Sequence, residues 1–180
     1  MLWVFDLTVR LNVPFLSIVH QKKILIMVNM TTSIIRFLNI IIAALLAGVS
    51  FGIWIGFNPL SLSPSTYIEQ QQSMIGALNV LMITLVFSAT VITIISAFLQ
   101  KSNKTVFITL LIAAVFFIAC IVISRFGNQP INNIIMSWTS GSLTGNLSEL
   151  RDKWWTFHIM RTIAELIALS LVTWASIKKN

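Results

Sequence analysis

Charge is what this chain has least of. Asp, Glu, Lys and Arg make up 9% of its 180 residues, against about a quarter in an average soluble domain. Only five residues are acidic, while 57% are hydrophobic and the mean hydropathy is +0.90. An ordinary soluble domain is excluded. Cysteine is almost absent too: Cys120 stands alone in an apolar run, which rules out an intrachain disulfide and a cysteine-cluster metal site and marks it as a packing residue. No P-loop, dinucleotide glycine fingerprint, HExxH or CxxC motif occurs, so nucleotide, nicotinamide and zinc-peptidase chemistry have no support.

What is present is long uncharged runs. Four of them reach or approach the roughly 20 residues that cross about 30 Å of hydrocarbon at 1.5 Å per residue. They predict spans at about 34–57, 74–99, 105–124 and 154–177. Asn58-Pro59 and the Ser63-Pro64 region close the first, and Lys101-Ser102-Asn103-Lys104 is a tight turn between the second and third. In the connection after the third span, Ile131, Ile134, Ile135 and Trp138 have helical spacing and predict a short interfacial helix. The expected fold is therefore all-α: a four-transmembrane-helix bundle, a single domain over 34–177, with a short tail at 178–180.

The net charge of +7 does not point to nucleic acid, because the basic residues sit in small groups at the ends of apolar runs, where they anchor helices at lipid headgroups. Membrane lipid is the implied partner. Arg10, Lys22, Lys23, Arg36, Lys101, Lys104, Lys178 and Lys179 fall on one side; Arg125, Arg151, Lys153 and Arg161 fall on the other. The positive-inside rule then predicts a multi-pass cell-membrane protein with both termini cytoplasmic. Glu69, Glu149, Asp152 and Glu165 give the outer side a mixture of signs. Residues 1–33 read as a cytoplasmic arm: Asp6, Arg10, Asn12 and Pro14 interrupt the apolar pattern, and no cleavage site of a signal peptide follows. Met27 or Met30 is an alternative start to Met1, and an interfacial arm is the other reading.

Two helical faces carry polar groups at membrane depth. Trp154, His158, Arg161 and Glu165 share one face of the fourth span by their spacing of four, three and four. Ionisable groups there are costly and mark a functional site unless they serve only as an Arg161–Glu165 ion pair with His158 as spacer. On the second span Glu69, Gln72, Gly76 and Asn79 share a face, with Gln70 and Gln71 adding polarity at the outer end. A cavity between spans two and four, roofed by the loop after span three, is the simplest arrangement, and interhelical hydrogen bonding is the competing role for Gln72 and Asn79. Asn128 and Asn132 in that loop are site donors or turn and cap residues. Ala44, Gly48, Gly52 and Gly56 form a ridge of small side chains on the first span, a surface for close helix packing. Glu69, His158 and Glu165 are a weaker candidate iron set.

The run Gly-Asn-Gln-Pro-Ile-Asn-Asn at 127–133, Trp138, and then Arg151, Trp154 or Trp155, His158 and Arg161-Thr162 resemble the signature of a family of small four-helix membrane proteins that includes the anthrone oxygenases. Asn58-Pro59 and the segment Tyr67 to Gln72 fit the same pattern, while the serine-rich, proline-free sequence between Ser137 and Glu149 departs from it. For characterised members the resemblance implies oxidation of an aromatic anthrone by O₂ with no added cofactor, O₂ being the co-substrate. The residues suit that chemistry. Removing a proton from an anthrone's methylene leaves an electron-rich enolate that reacts with O₂ directly, so a base, oxyanion donors and a dry pocket suffice. His158 is the expected base, beside Arg161 as a fixed positive charge. Asn128, Asn132, Trp138, Trp154, Glu165, Gln72, Asn79 and Glu69 are the expected surroundings of a hydrophobic aromatic ligand. The alternative is a non-enzymatic membrane module that binds a lipid, a quinone or a partner helix in the same cavity. Nothing in these patterns encodes the oligomeric state.

Overall fold

The computed structural model describes residues 4–138 and 146–178, with side chains described from His20 onward except Ile24 and Leu25. Lys179 and most of the serine-rich stretch between Ser137 and Glu149 lie outside the described residues. All regular structure among the described residues is helical. α1 runs over Val4–Gly56, α2 over Pro64–Leu99, α3 over Lys104–Ile123, α4 over Gln129–Met136 and α5 over Leu147–Ile177.

Local chemistry sets the breaks. Asn58 accepts from the Leu60 N–H and Pro59 opens a single 3₁₀ turn, Pro59–Ser61. Ser63 then caps α2 by accepting from the Thr66 N–H, with Pro64 at the first helical position, where its missing N–H costs nothing. Asn103 caps α3 through the Val106 N–H. α2 and α5 begin ten and seven residues before the apolar spans read from the sequence, α2 at its Ser63 cap and α5 after Asn146, which makes no side-chain cap. α1 likewise continues back to Val4 through the arm; its first buried residue is Asn39 among those whose side chains are described. Among the described residues, four helical stretches are long and apolar enough to cross a membrane: His20–Ser61, Pro64–Leu99, Lys104–Met136 and Leu147–Ile177.

α1, α2, α3 and α5 form a square bundle in which α1 neighbours α2 and α5, and α3 neighbours α2 and α5. α2 and α5 therefore face each other diagonally, and the space between them is the bundle interior. That interior has two apolar clusters. One, at the end nearer the α2–α3 turn, gathers Ala43, Leu46, Met82, Ala89, Leu110, Phe117, Ala168 and Val172, where alanines let the helices approach closely. The other gathers Tyr67, Ile131, Ile135 and Trp154, with Phe57 and Trp155 packed against it. The outward faces are apolar as well: Val80, Val115, Phe126 and Trp174 are each more than 60% exposed, the pattern of helices that do not face water.

α3 passes into α4 through a π turn, Ser124–Asn128, in which the Gln129 N–H reaches back five residues to the Ser124 carbonyl. Gly127 of this turn sits against α5. A Cβ there would lie 2.6 Å from the Phe157 ring of α5, so only glycine lets that ring pack so closely. α4 buries Ile131 and Ile135 against the bundle and leaves Ile134 exposed. By contrast, the glycine ridge of α1 has no partner among the described residues: Gly48, Gly52 and Gly56 face open space.

Candidate active site

Between the two apolar clusters lies a polar layer built by all four long helices. α5 supplies most of it, since residues 158, 161 and 165 recur on one face of an otherwise apolar helix. His158 is fully buried and Glu165 is 1% exposed. His158 is held on four sides. Its Nε2 donates to the Ser50 carbonyl of α1 at 3.2 Å, and its Nδ1 accepts from the Arg161 guanidinium at 3.3 Å. A guanidinium only donates and a carbonyl only accepts, so these partners fix the neutral Nε2–H tautomer. Trp154 stacks on the ring at a centroid distance of 5.2 Å and an interplanar angle of 2°, and Trp155 at 5.5 Å and 20°.

Arg161 also donates to the Ser124 hydroxyl at 3.4 Å, and its own carbonyl accepts the Cys120 thiol at 3.5 Å. The ion pair expected between Arg161 and Glu165, or between Arg161 and Glu69, is not closed among the described residues. Arg161 turns instead to His158 and Ser124, which lie within the same turn and on the neighbouring α3 end. Glu165 Oε2 and Asn128 Oδ1 are buried without a hydrogen-bond partner, and the Ser50 hydroxyl faces the Glu165 carboxyl without closing a bond of normal geometry.

Two adjoining cavities of about 50 Å³ each open onto this layer. The first is lined by Ile53, Met74, Ile75, Leu78, Asn79, Met82, Asn132, Trp154 and Arg161. The second shares Asn79, Met82, Asn132 and Arg161 and adds Asn128, Ser124 and Glu165. The expected cavity between spans two and four, with a wall from the chain after span three, is therefore present. Its volume leaves room for a few waters, not the hundreds of cubic ångströms of a site closed around a drug-sized ligand. Asn128 and Asn132 are also tied to α5: Asn128 Nδ2 donates to the Trp154 carbonyl at 3.0 Å, and Trp154 Nε1 donates to Asn132 Oδ1 at 2.8 Å.

Some expected site residues lie elsewhere. His158 lines neither cavity. Glu69 and Gly76 are exposed, because the inward stripe of α2 is Tyr67, Gln71, Leu78 and Met82 rather than the face one residue further round. Gln72 spends its amide on the end of α4, donating to the carbonyls of Ile135 at 2.8 Å and Trp138 at 3.0 Å; Trp138 packs in the outer apolar cluster. The candidate iron set does not assemble either: Glu69 is on the surface, and no group of three His, Cys, Asp or Glu comes together among the described residues. In turn, Ser50, Ser124 and Gln71 belong to the interior and were not singled out by spacing. The i, i+4 step from Tyr67 to Gln71, continuing the stripe of Leu78 and Met82, was the available signal.

A four-helix bundle of membrane-crossing length, closed around a layer with an arginine, a glutamate, a histidine and three asparagines, defines a class of helical proteins with a polar interior site. Within that class the chain belongs to the anthrone oxygenase family, whose sequence model matches residues 69–171. The match runs from the first turns of α2 into the last third of α5 and takes in the whole polar layer except Ser50 of α1. No curated protein and no solved structure matches the chain.

Proposed function

We propose that this is an integral, multi-pass protein of the cell membrane, with Arg36, Lys101, Lys104 and Lys178 at the cytoplasmic ends of its helices and both termini inside, and that it oxidises an anthrone-like or phenolic aromatic with O₂ and no cofactor. The observation that carries this reading is Glu165: a carboxyl with an unpartnered oxygen, lining a buried cavity beside Arg161. Such a pair can take a proton and hold the anion left behind.

In this reading the base is Glu165 rather than His158, whose single acceptor lone pair is already used by Arg161. Glu165 removes a methylene proton; Arg161, with Asn79 and Asn132, holds the enolate oxygen; the enolate passes electrons to O₂. Overall the methylene loses two hydrogens and gains one oxygen atom, and the second oxygen leaves with both hydrogens as water. His158 positions the guanidinium, and Trp154, whose ring is backed by its stack with His158 and Trp155, gives the first cavity an aromatic wall for a planar substrate. Entry of three fused rings requires the cavities to widen. α4, which packs chiefly on α2 and the π turn, is the wall least tied to the rest, and π turns recur at functional sites.

A second reading, a module that binds lipid without catalysis, is favoured by a shallow apolar groove of about 390 Å³ between α1 and α5, lined by Trp54, Ile163, Leu166, Ile167, Ser170 and Leu171. O₂ uptake by purified protein given an anthrone separates the two. Uptake above the spontaneous rate that disappears in Glu165→Gln supports the oxygenase; equal rates with and without wild-type protein leave the binding module.

A further inference from the structure

Outward from the cavity along α2 stand two polar groups that no described residue answers. Gln71 is 0% exposed, and both its amide nitrogen and its amide oxygen lack a partner; Tyr67, also 0% exposed, has an unpartnered hydroxyl. Buried side-chain amides are almost always bonded, and one with neither atom satisfied is a standing destabilisation. Both belong to the inward stripe of α2. One turn inward from Gln71 come Met74 and Ile75, which wall the first cavity, and Tyr67 packs in the cluster that includes Trp154 from the same wall.

The opposite direction offers nothing comparable. Inward from Glu165 the interior is the apolar cluster of Leu46, Met82, Phe117 and Ala168, and the next unpartnered polar atom in that direction belongs to Asn39, two turns beyond Leu46. A ligand anchored at Arg161 and Asn79 that needs more room, and has polar atoms at its far end, is therefore matched only by the outer direction. From Asn79 to Gln71 is eight residues, about 12 Å of helix, comparable with the long axis of a three-ring aromatic. The apolar side chains between them suit its ring carbons.

We infer that Tyr67 and Gln71 form a second polar subsite, which determines specificity by hydrogen bonding an oxygen substituent on the ring farthest from the reacting carbon. This rests on the oxygenase reading for the identity of the ligand, though not for its binding. The phenol hydroxyl of Tyr67 can donate or accept, and the Gln71 amide can do both at once, so a hydroxyl or a carbonyl on the substrate is satisfied equally. The subsite is a place where stability is given up for recognition: replacing Gln71 by an apolar residue of similar size removes two unsatisfied atoms and no bond.

The test uses the full chain in lipid nanodiscs and two probes, anthrone itself and an anthrone with hydroxyls on its outer rings. Dissociation constants are read from quenching of tryptophan fluorescence, for wild type, Gln71→Leu and Tyr67→Phe. The wild type is expected to prefer the hydroxylated probe, and each variant to lose about tenfold of that preference, the equivalent of one hydrogen bond. Affinity for plain anthrone should be unchanged and the melting temperature of Gln71→Leu no lower than that of wild type. An unchanged preference, a Gln71→Leu protein that melts earlier, or a wild type that binds neither probe overturns the subsite. Turnover is scored separately: probes that bind with the expected preference but are never oxidised refute the oxygenase reading and leave the subsite standing.

Discussion

Arg161 and Glu165 sit one helical turn apart inside an apolar bundle, with no ion pair between them, and each depends on the polar layer for its stability. Arg161 is answered by His158 and Ser124, and its charge compensates the carboxyl that lies deeper. Removing it strands that carboxyl, so Arg161→Ala should cost on the order of 3–5 kcal/mol, read as a fall in melting temperature in detergent, whereas Glu165→Gln keeps the volume and should fold. If Glu165 is the proton acceptor, Glu165→Gln should lower turnover by about a hundredfold or more. His158→Phe preserves the stack between Trp154 and Trp155 but frees the guanidinium; it should lower turnover by roughly tenfold, a loss of about 1.4 kcal/mol in transition-state binding, without changing tryptophan emission. The α5 residues were legible in the sequence because four conspicuous side chains at helical spacing interrupt an apolar helix. The α2 residues were only partly so. α2 is apolar on every side, so no stripe distinguishes its inner face: of the residues read from spacing, Asn79 does line both cavities, Glu69 is exposed, and Gln72 stands one residue, or about 100° of rotation, from the buried Gln71. Which nitrogen of His158 carries the proton also depends on the Ser50 carbonyl, 108 residues away in the chain, and no local pattern carries that.

Among the elements, the α3–α4 junction is the most specialised. Its π turn inserts one extra residue per turn, which swings Asn128 and Asn132 toward α5, and Gly127 admits the Phe157 ring. Gly127→Ala places a methyl group against the base of that ring, which must then shift, so the variant should lose about 1–3 kcal/mol. The loss should be partly recovered when Phe157→Ala is added, as a double-mutant melting series would show. Helix existence was readable from the four uncharged runs and from Asn58, Ser63 and Asn103, whose side chains suit caps. Helix length was less so, because hydropathy reports the part that suits lipid and says nothing of capped polar turns beyond it. The π turn was invisible, since it arises from tertiary contact with α5.

For the whole molecule, the proposed orientation rests on basic residues at one end of the bundle and mixed charge at the other. A reporter fused after Asn180 and one inserted at Lys101 should both be cytoplasmic, and a tag at Ser63 external; an external C-terminus would overturn the arrangement. Deletion of residues 1–26 should leave membrane insertion and melting temperature unchanged, since the described side chains of this part of α1 are exposed and burial begins at Asn39. The central claim, that the polar layer turns an anthrone into a quinone using O₂ alone, is tested most directly by stoichiometry. Purified, metal-chelated protein in nanodiscs is given an anthrone while O₂, quinone and peroxide are followed together. The account predicts one O₂ consumed for each quinone formed, with no peroxide and no rate above background in Glu165→Gln. Quinone formed no faster than in buffer, or formed equally well by Glu165→Gln, would contradict it.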